Sequence, residues 1–202
     1  MDDETTYLEG VRKLLCNGHQ VDMVMFGVLV YEREQEPNQR EKIITELCTW
    51  SDQQVWAWDA LVAIGVRAWK RGDDPPDLLK RFICFAGTHP GRRPETPRRG
   101  GRKWRPSDDA SETFRLLVAV YLLQEVCGLG RAAAAYSQIE TWSRLSQNDS
   151  YEQSKAWGTE HTPTLAFIPS SRLKKKLQRL RKSSPVLFGS KQSLHIALSC
   201  IA

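Results

Sequence analysis

The chain has no C-x-x-C pair and no even set of cysteines. Its five, Cys16, Cys48, Cys84, Cys127 and Cys200, lie far apart, which argues against a disulfide framework and a zinc ribbon and predicts buried, reduced thiols. Long hydrophobic runs are lacking too. The most apolar stretch, Met23 to Tyr31 (MVMFGVLVY), has nine residues, against about 20 for a helix that crosses a bilayer. The opening MDDETTYLEG is acidic where a secretion leader is basic. A soluble, cytoplasmic protein with no membrane partner is expected.

Catalytic patterns are also missing. There is no G-x-S-x-G elbow and no G-x-x-x-x-G-K-[ST] phosphate loop. The acidic pairs Asp2-Asp3, Asp73-Asp74 and Asp108-Asp109 fall at expected helix ends, where capping and the helix dipole account for them. Cys16 and His19 are ligand-type residues, but only the scattered Cys84, His89 and His161 could complete a zinc set. No metal and no cofactor is expected, Arg71-Gly72-Asp73 reads as a chance tripeptide, and the chain reads as a binder rather than an enzyme.

What is present is ordinary globular material with segregated charge. Hydrophobic residues at 41% and charged residues at 26% lie far from a disordered composition, and 202 residues suffice for one full core or two small ones. Net charge is +5. Arg92, Arg93, Arg98, Arg99, Arg102, Lys103 and Arg105 against Glu95 give +6. Arg172, Lys174, Lys175, Lys176, Arg179, Arg181 and Lys182 give +7. Taking +13 from +5 leaves −8 for the rest. A surface built only for solubility intersperses the signs, whereas this separation fits a footprint for a polyanion.

Periodicity predicts a mainly α protein, a helical bundle in two halves joined by a basic arm. Leu8, Val11, Leu14 and Leu15 predict a helix over about 3–16. Helices are expected over 21–34 and 39–49, the second entered through Pro37. Ser51 and Gln54 have capping-box spacing, and Val55, Trp58, Val62, Gly65 and Trp69 then predict the core face of a helix running to about Lys70. Pro75-Pro76 opens another over 77–86, stopped by Gly87. The stretch 88–106 (THPGRRPETPRRGGRKWRP) has four prolines, three glycines and no apolar period. It is expected to be an exposed arm between an acidic domain over 1–87 and a C-terminal domain over 107–202.

The second half restarts at Ser107-Asp108-Asp109 with an amphipathic face of Phe114, Leu117, Val118, Tyr121 and Leu122. After Gly128 and Gly130, RAAAAYSQIETWSRL is a strong helix former with a stripe of Tyr136, Ile139 and Trp142. A short helix is expected over 150–157, capped by Ser150 and Gln153, then an extended connector over 162–169. Ser170-Ser171 should cap a helix with Leu173, Leu177 and Leu180 on one side, and an apolar run over 190–201 should form a terminal helix packed on the body. Seven tryptophans are many. Of the cluster Trp50, Trp56, Trp58 and Trp69, most are expected in the core and part at the surface.

Two segments carry the functional expectation. In the arm, arginines suited to bidentate phosphate contacts, glycines that let backbone approach and the stacking face of Trp104 suit a groove or a single strand. Gly91-Arg92-Arg93-Pro94 and Arg99-Gly100-Gly101-Arg102 resemble an AT-hook arm, though that family centres on Arg-Gly-Arg-Pro; a basic linker without a ligand is the alternative. The second segment, SSRLKKKLQRLRK, is a basic amphipathic helix that suits phosphate backbone, an acidic protein or a membrane surface. Its apolar face lacks bulky aromatics, which lowers the membrane option.

The run Phe114 to Cys127, the turn Gly128-Leu129-Gly130 and Arg131-Ala132-Ala133-Ala134-Ala135 resemble the helix-turn-helix proteins of phages, plasmids and other bacterial mobile elements. The resemblance covers about a quarter of the chain and implies DNA binding, with Arg131 added to the contact set and Tyr151, Gln153, Ser154 and Lys155 facing the major groove. The chain departs from the pattern because the helix from Arg131 runs on and the connection is no three- or four-residue turn. The expected partner is therefore nucleic acid, with an acidic protein or nucleoprotein complex as the competing one, and the chain is expected to form a possible homodimer.

Overall fold

The computed structural model describes residues 3–16, 21–94, 110–157 and 165–201, and within these the side chains of all but 3–7, 13, 16, 110, 111 and 150–157. The described residues are mainly α-helical. They form α1 (Asp3–Cys16), α2 (Met23–Arg33), α3 (Pro37–Ser51), α4 (Val55–Arg71), α5 (Asp77–Thr88), α6 (Ala110–Glu125), α7 (Ala132–Trp157), α8 (Ser170–Ser183), α9 (Pro185–Gly189) and α10 (Lys191–Leu198). A 3-10 turn covers Pro90–Arg92. Among the described residues the only β pairing is a single bridge, Val21 to Ile201.

The chain divides into two compact units, one of Met1–Gln20 with Glu112–Leu180 and Ala202, the other of Val21–Ser111 with Arg181–Ile201. In the second unit α4 is the central helix, with α2, α3 and α5 packed on it and α9 and α10 closing against α3 and α2. Small residues decide that arrangement. A methyl on Gly27 would lie 3.0 Å from the Cβ of Ala60, so α2 approaches α4 closely because neither carries a larger side chain there.

That close approach rotates α4 away from the expected core face. Ala57, Trp58, Ala60, Leu61, Ile64, Gly65 and Ala68 are buried, Val55 and Val62 are half-buried, and Trp69 is 81% exposed. Only Trp58 and Gly65 of the expected stripe reach the core. The expected capping box also fails. Ser51 ends α3 and donates to the carbonyl of Cys48 at 2.8 Å, while Gln54 precedes α4 without a side-chain cap. The helix stops at Gly72, whose φ of 71° lies in the left-handed region that side chains disfavour. Helix α5 continues past Gly87 to Thr88, where the N–H of His89 closes the last turn on the carbonyl of Phe85 at 2.8 Å.

The aromatics assemble around Phe188 of α9. Phe26 stacks on it at 6.0 Å, and Trp50 and Trp56 meet it edge-on at 6.1 and 6.4 Å. The indole of Trp50 donates to Ser184 Oγ at 2.7 Å. Glu46 accepts the backbone N–H groups of Val186 and Leu187 at 3.0 and 2.9 Å, so α3 caps α9 through a carboxylate 140 residues away in sequence. The ends of the unit are tied by the N–H of Asp22 donating to the carbonyl of Cys200 at 2.8 Å.

In the first unit, α6 is buried from Thr113 through Tyr121 without a break, so it is enclosed on all sides rather than amphipathic. Gly128, with φ of 66°, turns the chain toward α7. That helix runs unbroken from Ala132 to Trp157. The expected helix over 150–157 is therefore its last two turns, and Ser150 sits inside it instead of capping a new one. Ala135, Ile139, Trp142, Ser143 and Ser146 form the buried side of α7. Cysteines 127 and 200 are buried and Cys48 is half-buried, with burial and then Asp52 raising its thiol to about 11. Cys84 is exposed, against expectation.

Candidate nucleic-acid interface

The α8 helix carries the most concentrated charge among the described residues. Leu173, Leu177 and Leu180 fall at i, i+4 and i+7, and all three are buried, which contributes about 1.5–3 kcal/mol each. That anchor leaves the cations outward. Arg172, Lys174, Lys175, Arg179, Arg181 and Lys182 are exposed, and Lys176 is half-buried. None of those six exposed cations lies in an ion pair with a carboxylate among the described residues.

Polar groups of α7 hold the approach to α8. The backbone N–H groups of Leu165, Ile168 and Ser170 donate to Ser146 Oγ at 3.4 Å, Ser143 Oγ at 3.3 Å and Glu140 Oε2 at 3.0 Å. The three acceptors are spaced three residues apart on one side of a helix, so the segment entering α8 runs along α7 in the opposite direction. Ser170 was expected to cap α8 with its own hydroxyl; instead that hydroxyl donates to Glu140. The bonds from Ser170 come first in holding the Glu140 carboxyl below its usual range, with Arg144 adding to them. Sequence reading missed this ladder, whose signal was Glu140, Ser143 and Ser146 on one side of a long helix.

Of the basic segment over 88–106, only residues 88–94 are described. Arg92 is exposed in the 3-10 turn. Arg93, expected among the phosphate contacts, pairs with Asp59 of α4 through Nε at 2.9 Å and Nη2 at 2.6 Å and stays about half exposed. Arg98, Arg99, Arg102, Lys103, Trp104 and Arg105 lie outside the described residues. So do the side chains of Tyr151, Gln153, Ser154 and Lys155, although their backbone belongs to α7. Arg131 is exposed just before that helix.

Other charged clusters are internally paired. In a cavity of about 400 Å³ lined by Tyr31, Glu32, Arg40, Arg71 and Asp73, Glu32 takes Arg67 at 3.1 Å and Arg71 at 2.8 Å. Arg71 also closes on Asp73 at 2.8 Å, so the Arg71-Gly72-Asp73 tripeptide is folded onto its own helix end. Among the described residues no group of three or more His, Cys, Asp or Glu could hold a metal ion, and no helix is long and apolar enough to cross a membrane. The structure thus defines a helical protein with an exposed cationic helix face. Among known proteins, no family model, no curated protein and no solved structure matches the chain.

Proposed function

We propose that the chain is a nucleic-acid-binding accessory or regulatory protein that grips phosphates through its two Arg- and Lys-rich segments. The carrying observation is α8. Six cations stand exposed on a helix whose only apolar stripe is already buried, so the face has charge to offer and no greasy surface with which to enter a membrane. Phosphate backbone is the dense anion that such a face fits. The second reading is an inhibitor or adaptor that docks on an acidic partner, and the same cations support it. A salt titration separates the two. Binding to DNA or RNA is expected to weaken steeply between 50 and 200 mM salt, by about 10³ for a protein with six phosphate contacts. Binding absent at low salt would discard the first reading and leave the second.

A further inference from the structure

Resting on that reading, we propose that α8 is built for the major groove of B-form double-stranded DNA rather than for single strands or duplex RNA. The argument is angular. At about 100° per residue, with the buried stripe of Leu173, Leu177 and Leu180 set at zero, Lys174 and Arg181 lie about 75–95° to one side. Arg172 and Arg179 lie about 105–130° to the other. Lys175 and Lys182 stand about opposite the leucines. The exposed charge therefore clothes both flanks and the tip of the helix.

A single strand presents one line of phosphates and would neutralise one flank, leaving the other facing water. A groove has two phosphate walls. A helix about 10–12 Å across fits a B-form major groove about 12 Å wide, whereas the major groove of an A-form duplex is too narrow and deep for side chains to read. On each flank the two cations are seven residues apart, about 10.5 Å along the helix, so each flank can meet two separate phosphates on its wall.

The tip supports the same assignment. Ser171 and Gln178, both exposed, fall between the Lys174–Arg181 flank and the lysines of the tip, where base edges would lie. Glutamine can bond the adenine edge. The exposed residues of α8 include no aromatic ring, so the helix offers no platform on which unpaired bases could stack. The charge consequently dominates and sequence preference is weak.

The test uses the full chain and four fluorescent probes of about 20 residues or base pairs, the site length scale of small DNA-binding modules: a mixed-sequence DNA duplex, one of its strands, the matching RNA duplex, and a DNA duplex with bulky C5 substituents on its pyrimidines, which fill the major groove. The plain duplex is expected to bind about tenfold tighter than the other three, a factor typical of one or two lost phosphate or base contacts. Replacing either flank, Lys174→Ala with Arg181→Ala or Arg172→Ala with Arg179→Ala, should weaken duplex binding about equally and lower the salt slope by about two, with helicity unchanged by circular dichroism. Equal affinity for the single strand, the blocked duplex or the RNA duplex, or insensitivity to loss of one flank, overturns the groove assignment while leaving nucleic-acid binding standing. Failure of all four probes at low salt removes the functional reading itself.

Discussion

At the scale of single residues, Gly65 shows how tightly α5 sits on α4. A methyl built there would meet the Cδ1 of Ile83 at 1.9 Å and its Cγ1 at 2.9 Å. Alanine would gain about 1 kcal/mol of helix propensity, but overpacking a fitted contact costs about 1–3 kcal/mol. Gly65→Ala should therefore lower unfolding free energy by about 1 kcal/mol in a urea titration. A more stable variant would mean that Ile83, which is half-buried, swings aside at no cost. Arg93 and Asp59 form a second residue-scale device. Their pair is bidentate but partly exposed, at 47% and 34%, so breaking it should cost no more than about 1 kcal/mol. Asp59→Ala also releases Arg93 to a phosphate, and affinity for nucleic acid is expected to rise while the melting temperature barely moves. Unchanged affinity would take Arg93 out of the interface.

Helix ends set the element-scale behaviour, and two carboxylates act there with opposite sign. Burial of Glu46 outweighs the two N–H bonds it receives from Leu187 and Val186 and raises its pKa above 4.5. A raised carboxyl binds its proton more tightly in the folded state, so its contribution is full below the ordinary pKa and declines as pH rises through the raised one. Glu140 is lowered, first by its bonds to Ser170, and its contribution is present above the ordinary pKa and lost as pH falls through the lowered one. Measured against pH, the stability advantage of the natural chain over Glu46→Gln should shrink from about pH 4.5 upward, whereas that over Glu140→Gln should shrink on acidification. Slopes of the same sign would contradict one of the two caps. These ends are also where sequence reading lost accuracy. Helices α1 and α8 were legible because Leu8, Val11 and Leu15, or Leu173, Leu177 and Leu180, mark a helix period within one segment. The spacing of Ser51, Ser150 and Ser170 predicts caps that do not form, because hydroxyl spacing is local while the competing partners come from the preceding turn, from an uninterrupted helix and from Glu140. Trp69 departs from the core face that its spacing predicts for a related reason, since the close approach of Gly27 to Ala60 that goes with the turned α4 joins residues far apart in sequence. Of the candidate interface, the charge of α8 was legible in composition, but the engagement of Arg93 by Asp59 was not, because nothing in the local sequence marks a carboxylate 34 residues away.

For the whole molecule, the separation of +6 in the arm and +7 in α8 from −8 elsewhere makes one question decisive: whether the two segments hold the same polyanion. Counterion release gives a quantitative answer, since each phosphate contact contributes about 0.9 to the slope of log affinity against log salt on duplex DNA. Removing four cations from the arm, Arg98, Arg99, Arg102 and Lys103, and separately four from α8, Arg172, Lys174, Arg179 and Arg181, defines a cycle with the eightfold variant. If both segments grip one duplex, each set should lower the slope by up to about 3.6, with the losses adding in the eightfold variant. Thermal stability should change little, because the α8 cations are exposed and their removal leaves the leucine stripe intact. Removing like charges from one helix also relieves repulsion between neighbours three and four residues apart, so a small rise in melting temperature is the expected direction for the α8 set. A slope that falls for α8 and stays fixed for the arm would confine the interface to the helix and reduce 88–106 to a linker. The reverse result would leave the arm as the sole gripping element.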